Sequence, residues 1–378
     1  MGEKVKVLFV LPDLSGGGAE KVTLDLISSL NKENFEVTLF LLRKAGAHLK
    51  LLTDDISVIY GMDNDKSIIR NSIQIIKELT KESKKVDVVV GALELKGHIY
   101  STIAATIAGK PIIGWLHKHI GYYLSNLPTY KKLIYKLFTN LLYRKMKRVV
   151  TVSSEASESA KKEFPKFKEK IQYIYNPIDN EIILKESNKG LPEWFNSIQE
   201  KPIILGVGRL EHQKGFDILI KAFSMAKKKG DMGTLVIIGE GRDREKLSNL
   251  IARENLTNVF LPGFTNPYPV LKHADLFVLS SRYEGLPTVL LEALTLNKRI
   301  ISSKCPAGPV EILKDGKYGT LVESENIELL SLEITKFLKE YSRNSLNKLQ
   351  LETSVSRFSK INVSKKWEEL LYKIGKGD

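Results

Sequence analysis

The sequence predicts an α/β protein made of two doubly wound halves, and three observations support this. Short apolar runs such as Val5–Leu11 and Ile203–Val207 alternate with amphipathic stretches almost throughout, which is typical of parallel sheets covered by helices on both faces. The alternation stops at Asn176–Pro177 and restarts at Ile203 after a polar stretch. The length of 378 residues also fits about two ordinary domains.

Each half contains several predicted strands with helices between them. The strands expected in the first half are Val5–Leu11, Phe35–Leu42, Val86–Val90, Pro111–Gly114, Val149–Val152 and Ile171–Tyr175. Those expected in the second half are Ile203–Val207, Leu235–Ile238, Val259–Leu261, Leu276–Leu279 and Arg299–Ser302. We therefore expect an N-terminal domain over residues 1–180, a linker over 181–202 and a C-terminal domain over 203–360. A helix over about 361–378 is expected to pack back on the first domain.

The composition excludes several classes of protein. The chain has 58 Lys+Arg against 44 Asp+Glu, a net charge of +14, which favours nucleic acid, an anionic membrane surface or phosphorylated ligands as partners. Its one cysteine, Cys305, excludes an internal disulfide and a cysteine-based zinc site. Since no apolar run approaches the ~20 residues of a membrane-spanning helix, we expect a cytosolic chain that can still touch a membrane.

A glycine run follows the first strand. Gly16, Gly17 and Gly18 stand between Ser15 and the first predicted helix. Glycines permit left-handed backbone and close approach of a ligand, and a helix N-terminus adds positive potential. A phosphate or a sugar hydroxyl would fit there, although a plain strand-to-helix turn remains the alternative. The run is neither G-x-G-x-x-G nor a Walker loop.

Two further glycine motifs follow strands of the second half. Gly206-Val207-Gly208-Arg209-Leu210 is followed by Lys214, five residues after the arginine. A guanidinium fork and a point charge at this spacing could clamp a pyrophosphate, and solvated loop charges are the alternative. Gly239-Glu240-Gly241 comes after the next strand, but any tight turn could have this sequence.

The most informative motif follows the strand Leu276–Leu279. It runs Glu284-Gly285-Leu286-Pro287-Thr288-Val289, with Glu292 later on the predicted helix. Pro287 suits the first turn of that helix, where the N–H groups of Thr288 and Val289 would be free to bind an anion. The six helical steps from Leu286 to Glu292 rise roughly 9 Å, and Glu284 lies further back still, so the pair looks too long for hydrolysis across one bond. The two glutamates suit two contacts to one elongated ligand, or else are unrelated surface residues.

The basic charge is concentrated between Glu94 and Glu155, where the chain has no acidic residue. Within this segment, Pro128–Arg148 interleaves lysines and arginines with apolar side chains. The pattern predicts a basic amphipathic helix suited to an anionic membrane surface. A helix that docks its apolar side on the core and solvates its basic side is the alternative, and both can hold. No nucleic-acid-binding signature is present, so nucleic acid is not expected as a partner.

The ordered set of motifs resembles the retaining GT-B glycosyltransferases of family 4. The resemblance rests on the glycine run, G-x-G-R-L with a lysine five residues after the arginine, G-x-G, and E-G-L-P-x-x-x-x-E. It covers essentially the whole chain. It implies two Rossmann-like α/β domains that face each other across a deep cleft.

The resemblance also implies roles for individual residues. Glu284 would contact donor-sugar hydroxyls and Glu292 the ribose, while Arg209 and Lys214 would offset the charge of the diphosphate. His117 lies where the family has an active-site histidine, with His119 as the alternative. The other donor contacts implied are Gly16, Gly17, Gly18, Gly208, Gly239, Gly263, Phe264, Gly285, Leu286, Pro287, Thr288 and Val289. From their position alone, Lys118, His119, Tyr122 and Tyr123 are expected to line an acceptor groove.

The activity implied is retaining transfer of a hexose or N-acetylhexosamine from a nucleotide-sugar, with UDP favoured by the family alone. The acceptor would be a lipid-linked saccharide or a cell-surface glycopolymer precursor at the inner face of the membrane, with the protein cytoplasmic and peripherally attached. No metal or cofactor is expected, since Arg209 and Lys214 would take the place of a divalent ion at the diphosphate. The alternatives are a non-catalytic two-lobed nucleotide-sugar-binding protein and an NAD-dependent oxidoreductase. The latter needs a third glycine that Gly206-Val207-Gly208 lacks.

Overall fold

The computed structural model describes residues 3–15, 17–63, 67–227, 233–342 and 355–377. They divide into two compact units. The first unit comprises the described residues of 1–178 and 358–378, and the second comprises those of 179–357.

The first unit is built on a seven-stranded parallel sheet with the strand order β3-β2-β1-β4-β5-β6-β7. Its strands are β1 (Val5–Leu11), β2 (Phe35–Leu41), β3 (Ser57–Tyr60), β4 (Val88–Ala92), β5 (Ile112–Leu116), β6 (Arg148–Thr151) and β7 (Ile171–Tyr173). The helices between them are α1 (Gly18–Ser29), α2 (Ser72–Ser83), α3 (Lys96–Ala108), α4 (Ile120–Ser125), α5 (Thr129–Lys145) and α6 (Ser154–Glu163).

The second unit is built on a six-stranded parallel sheet with the strand order β10-β9-β8-β11-β12-β13. Its strands are β8 (Ile203–Val207), β9 (Thr234–Ile238), β10 (Val259–Gly263), β11 (Leu276–Leu279), β12 (Arg299–Ser303) and β13 (Thr320–Val322). Its helices are α7 (Asn180–Ser187), α8 (Phe216–Lys227), α9 (Arg244–Arg253), α10 (Pro267–His273), α11 (Thr288–Thr295), α12 (Pro309–Ile312) and α13 (Ile327–Ser342).

The chain crosses back to the first unit at its end. The last helix, α14 (Lys360–Gly375), packs on α1 and β1, with Trp367 fully buried. Residues 181–202, expected to form a linker, lie inside the second unit instead. The reason is that α7 packs against α10 and α11.

The central strands form as predicted because their apolar runs are buried on both faces. Every residue of β4 and of β5 is buried, as continuous runs require. The sequence missed β3 and β13. Both lie at the edge of a sheet, and their few half-buried residues leave no long apolar run.

The strand order fixes where ligands can bind in each unit. The order reverses between β1 and β4 in the first sheet and between β8 and β11 in the second. Ligands of such sheets bind at the carboxyl ends of the strands beside this reversal. The motifs at 208–215 and 280–287 follow β8 and β11, so they meet at that point. None of the helices in the described ranges is both long and apolar enough to span a bilayer.

Candidate active site

A buried ion pair joins the two principal motifs of the second unit. The Nζ of Lys214 donates a hydrogen bond to Oε1 of Glu284 over 2.7 Å, and the hydroxyl of Ser281 donates to the same oxygen over 2.6 Å. The side chains of Lys214 and Glu284 are only 16% and 7% exposed. The predicted cation and the predicted sugar-binding carboxylate are therefore in direct contact.

The loop that carries Lys214 is attached to the loop that carries Glu284. Gly215 has a left-handed φ of +62°, and a Cβ there would collide with the carbonyl oxygen of Ser280, so only glycine fits. The hydroxyl of Ser280 donates to the carbonyl of Lys214 over 3.0 Å. The side chain of Gln213 donates to the carbonyl of Tyr283 over 3.0 Å.

Arg282 is the centre of this attachment, although the sequence motifs predict no role for it. Its guanidinium donates two hydrogen bonds to Asp217 on α8, over 2.9 and 2.8 Å, and one to the carbonyl of His212 over 2.7 Å. Its Nε donates to Glu325 over 2.8 Å. The side chain is 8% exposed, so this planar fork holds both loops from within.

The second glutamate of the motif is also buried and oriented. Glu292 on α11 accepts a hydrogen bond over 3.1 Å from the phenol of Tyr268, which lies on α10. Both residues are 7% exposed. The motif gave no sign of Tyr268, because the two residues meet only when α10 and α11 fold against the same sheet.

Helix α11 begins one residue later than predicted. Pro287 is its N-cap residue rather than part of its first turn, and Thr288 is the first helical residue. A one-residue difference at a helix end is ordinary. Thr288 and Val289 still provide N–H groups that have no acceptor within the helix. Gly285 and Leu286 are buried in the turn that precedes it.

The other predicted donor residues of the second unit lie along the same sheet edge. Arg209 is 53% exposed, with its guanidinium 3.6 Å from Glu211. Gly239 passes so close to Gly208 that a Cβ would collide with the carbonyl oxygen of Gly208, and its own N–H donates to the carbonyl of Gly263 over 3.0 Å. Phe264 is 59% exposed. A ligand at this edge would therefore meet main chain and a solvent-facing guanidinium.

The glycine run of the first unit differs from its prediction in backbone conformation. Gly17 is the extended N-cap residue of α1, with φ −83°, and a Cβ there would meet only the flexible carboxylate of Glu20. Around Gly18 there is open space. Gly16 lies outside the described residues. Neither described glycine needs a left-handed conformation, and the open space at Gly18 would admit a ligand.

His117 follows β5 and has a buried ring. Neither ring nitrogen has a hydrogen-bond partner among the described residues, and the ring centroid lies 4.5 Å from that of Trp115. Burial lowers the pKa of His117 to about 4, against the opposing effect of Glu94. The imidazole is therefore neutral at physiological pH. A polar group of a ligand could complete its missing hydrogen bonds.

His119 has a structural role that separates it from His117. Its Nδ1 accepts a hydrogen bond from the N–H of Tyr122 over 3.0 Å, which makes it the N-cap of α4. The ring of Tyr123 packs 5.3 Å from that of Tyr135, and the Nζ of Lys118 lies 5.4 Å from the Tyr123 ring. The residues predicted to line an acceptor groove thus follow one another at the start of α4.

Helix α5 turns most of its apolar side chains outward. The residues it buries are Tyr135, Thr139 and Tyr143. An outward set that we name the apolar ridge is 51–70% exposed and consists of Tyr130, Leu133, Ile134, Leu137, Phe138 and Leu141. The alternative in which the apolar side simply docks on the core therefore covers only part of the helix. Exposed apolar patches of this kind mark interaction surfaces.

The described residues hold no cluster of three or more His, Cys, Asp or Glu side chains that could bind a metal ion. The charges near the predicted diphosphate position belong to Lys214 and Arg209.

Two family models match the chain and together cover most of it. The model described as Glycosyltransferase Family 4 matches residues 16–182. The model described as Glycosyl transferases group 1 matches residues 192–351. These two ranges contain the candidate residues of the first and the second unit respectively.

Similar proteins of known name include two bacterial enzymes. The N-acetylgalactosamine-N,N'-diacetylbacillosaminyl-diphospho-undecaprenol 4-alpha-N-acetylgalactosaminyltransferase of Campylobacter jejuni is 26% identical over 96% of this chain and 97% of that protein. The UDP-Gal:alpha-D-GlcNAc-diphosphoundecaprenol alpha-1,3-galactosyltransferase of Escherichia coli is 28% identical over 92% of each.

Solved structures agree on the fold. The structure of Anabaena HepE in complex with UDP-glucose superposes with a TM-score of 0.81, at 19% identity over 97% of this chain and 99% of that one. Both family models match, and the chain forms two successive Rossmann-like units, each with a sheet of parallel strands. The chain therefore belongs to the family 4 glycosyltransferases (glycosyl transferases group 1) and has the GT-B fold.

Proposed function

We propose that the protein is a retaining glycosyltransferase that moves a hexose or N-acetylhexosamine from a UDP-sugar to a lipid-linked saccharide or a glycopolymer precursor. The observation that carries the donor half is the buried contact between Lys214 and Glu284 at the carboxyl edge of the second sheet. A cation beside a carboxylate suits a ligand in which a sugar is joined to a phosphate, with Glu284 proposed to bind the sugar.

The chemistry follows from the charge that develops on the leaving group. When the bond from the anomeric carbon to the phosphate oxygen breaks, negative charge grows on the nucleoside diphosphate. Lys214, Arg209 and the first N–H groups of α11 would stabilise that charge as it forms. Glu284 would hold the sugar hydroxyls, and Glu292 would hold the ribose.

Retention is part of the proposal, with the acceptor attacking from the face that the diphosphate leaves. The leaving phosphate oxygen would take the proton of the acceptor hydroxyl. His117 is neutral, and neither of its ring nitrogens has a hydrogen-bond partner among the described residues, so it would donate or accept a hydrogen bond at the sugar. Because Arg209 and Lys214 supply positive charge, we propose that transfer needs no metal ion and no cofactor.

The acceptor class rests on the relatives. The Campylobacter jejuni and Escherichia coli proteins are named for transfer to undecaprenyl-diphosphate-linked sugars, and such acceptors are held in a membrane by their lipid. The acceptor would approach the start of α4, where Lys118, Tyr122 and Tyr123 lie.

The donor is tested by ligand-induced stabilisation and by product analysis. A bound donor raises the unfolding temperature by mass action, so UDP-sugars should raise it and GDP- and ADP-sugars should not. Proton NMR of the product should show the anomeric configuration of the donor, with equal rates in EDTA and in Mg²⁺. An inverted product overturns retention, and a rate lost in EDTA overturns metal independence. A glycosyl-enzyme adduct located by mass spectrometry would replace the front-face mechanism.

The position in the cell that we propose is cytoplasmic, at the inner membrane face, with the apolar ridge of α5 in the lipid interface. Lys131, Arg144 and Lys145 are exposed on the same helix, so it combines apolar area with positive charge.

Vesicle co-sedimentation of the protein should increase with the fraction of anionic lipid. Replacing Leu137 and Phe138 by serine should weaken it about tenfold. The control is Ile73→Ser, because Ile73 is an 87% exposed apolar side chain on a different helix, α2. Equal binding to neutral and anionic vesicles would overturn the membrane proposal and leave the donor site unaffected.

A further inference from the structure

An unusual turn follows β4 in the first unit and carries a carboxylate toward β5. Leu93 and Leu95 both have left-handed backbone, with φ of +68° and +61°, and Glu94 lies between them. Non-glycine residues avoid this region, and such strain persists only where the surroundings over-determine it. It clusters at functional sites, so the turn needs an explanation.

The contacts of Glu94 give that explanation. Its Oε1 accepts two main-chain hydrogen bonds, from the N–H of His117 over 2.6 Å and from the N–H of Lys118 over 2.9 Å. Both donors belong to the loop that leaves β5. One carboxylate oxygen thus fixes the backbone from which the His117 ring projects, across the gap between two neighbouring strands.

The His117 ring itself is held only by packing. Its two nitrogens make no hydrogen bond within the described chain, so no polar contact of the ring sets its direction. His98, on α3, differs from His117, because its Nε2 is hydrogen-bonded to the carbonyl oxygen of Trp115 over 3.2 Å. The position of the His117 ring therefore depends on its packing and on the backbone that carries it, and Glu94 holds that backbone.

We propose that Glu94 is a positioning residue of the transfer reaction, which orients His117 through the main-chain amides of residues 117 and 118. The inference rests on the proposed role of His117 at the donor sugar. Burial by itself would raise the pKa of Glu94, but it is outweighed, chiefly by the charge of Lys118, and the pKa of Glu94 is lowered. The side chain is therefore an ionised acceptor of hydrogen bonds near neutral pH.

Three substitutions separate geometry from charge. In E94Q the amide oxygen can still accept both N–H bonds, although the charge is gone. In E94D the charge remains, but the side chain is one methylene too short to reach. E94A removes both. A positioning role through hydrogen bonds predicts that E94Q keeps kcat within about threefold, and that E94D and E94A lose about 10- to 100-fold. The loss should appear in kcat more than in the KM for the donor, because most of the proposed donor contacts, Lys214 and Glu284 among them, belong to the other unit.

The control is Glu158→Ala, since Glu158 is an exposed carboxylate of the same unit, paired with Lys161. It should leave kcat unchanged. Thermal unfolding of each variant checks that a loss of kcat is not a loss of folded protein. An active E94D beside an inactive E94Q would overturn the proposal, because charge and not hydrogen-bond geometry would then be needed. Full activity in all three variants would overturn it as well.

A second readout does not need turnover. Carbon-13 labelling of the ring carbons of histidine gives an NMR signal for each of the six histidines. E94A should shift or broaden the signal of His117 and E94Q should not, while the signals of His212 and His273 in the second unit stay fixed. An unmoved His117 signal in E94A would overturn the positioning role. If the wild-type protein transfers no sugar from any donor, the proposed function fails, and this spectrum alone decides the role of Glu94.

Discussion

The two units end their sheets in chemically different ways. At the carboxyl edge of the second sheet the buried charges are paired, as in Lys214 with Glu284 and Arg282 with Asp217. At the carboxyl edge of the first sheet the central group is His117, which is neutral and whose ring nitrogens have no partner among the described residues. One edge holds its charges in place, and the other leaves a polar ring whose hydrogen bonds a ligand could complete.

This difference indicates a division of labour. A diphosphate needs cations whose positions are already fixed, because reorganisation during the reaction would cost free energy. Buried ion pairs are costly unless hydrogen bonds satisfy both partners, and Ser281 supplies such a bond to Glu284. A neutral imidazole such as that of His117 can exchange hydrogen bonds with a sugar hydroxyl without adding a charge that needs a counter-ion, and this is the role proposed for it.

The largest expected effect comes from breaking the central pair of the second unit. Replacing Glu284 by alanine removes the proposed contact to the sugar and leaves Lys214 buried without its carboxylate. We expect the rate of sugar transfer to fall about 1000-fold, as for loss of one preorganised transition-state contact. Initial rates at saturating donor measure the effect. Unchanged turnover would show that this edge does not bind the reacting sugar.

Glu333→Ala is the matched control in the same unit. Glu333 lies on α13 and its ion-pair partner Lys336, 3.9 Å away, has a side chain that is 64% exposed, and exposed pairs contribute little. Its rate should equal that of the wild type. Glu284→Gln is the second variant, because it keeps the shape of the side chain and shows whether a loss in the alanine variant comes from unfolding.

A smaller effect is expected when the attachment between the two loops is loosened. Arg282→Lys keeps the positive charge and loses the planar fork that bonds Asp217, Glu325 and the carbonyl of His212. Because Lys214 is then less well placed, we expect kcat/KM for the donor to fall about 50- to 100-fold.

Arg299→Lys is the control for that substitution. Arg299 pairs with Glu340 over 2.9 Å on the far side of the sheet, with both side chains about one third exposed. It should change kcat/KM by less than about twofold. Donor saturation curves of both variants give the comparison. If Arg282→Lys behaves like Arg299→Lys, the attachment does not position Lys214.

These paired residues also show how far the sequence could go. Lys214, Glu284 and Glu292 could be predicted, because each directly follows a predicted strand or lies on the helix that does. Their partners could not. Arg282 reaches Asp217 across 65 positions, and Tyr268 reaches Glu292 across 24. Such contacts depend on strand order and side-chain direction, neither of which leaves a local pattern.

The first unit repeats the same lesson in another form. Glu94 lies 23 positions from His117, in a turn whose leucines give no sign of left-handed backbone. On α5, the sequence pattern showed an amphipathic helix, but the core takes only the stripe from Tyr135 to Tyr143. Periodicity reports which side chains share a face, and packing decides which face is buried.

The neutral histidine predicts a pH dependence of stability. Burial lowers the pKa of His117 to about 4, while an unfolded histidine titrates near 6.5. Below about pH 6.5 the unfolded chain therefore binds a proton that the folded chain does not, and stability falls until about pH 4. Relative to His117→Asn, the wild type should lose about 2 kcal/mol between about pH 7.5 and about pH 5, at ~1.4 kcal/mol per pH unit.

Urea unfolding followed by tryptophan fluorescence measures this difference. Trp115 and Trp367 both lie in the first unit, with ring centroids 4.7 Å apart, so the signal reports mainly on that unit. Parallel pH profiles for the wild type and His117→Asn would show that His117 is not held neutral. The contrast between paired charges at one sheet edge and a neutral histidine at the other would then no longer hold.

The smallest expected effect concerns Glu292, the carboxylate that is proposed to hold the ribose. Tyr268→Phe removes the phenol that donates to Glu292 and keeps the ring in the core. Loss of one hydrogen bond of about 1 kcal/mol should weaken UDP binding about fivefold in titration calorimetry. Tyr318→Phe, at a half-buried tyrosine of the same unit, should leave it unchanged.

Because Glu292 is proposed to hold the ribose, 2′-deoxy-UDP should bind the wild type more weakly than UDP does, and this preference should shrink in Tyr268→Phe. If Tyr268→Phe prefers UDP over 2′-deoxy-UDP as strongly as the wild type does, Tyr268 does not orient Glu292. The fixed pairing of buried carboxylates would then be limited to the diphosphate end of the proposed site and would not include its nucleoside end.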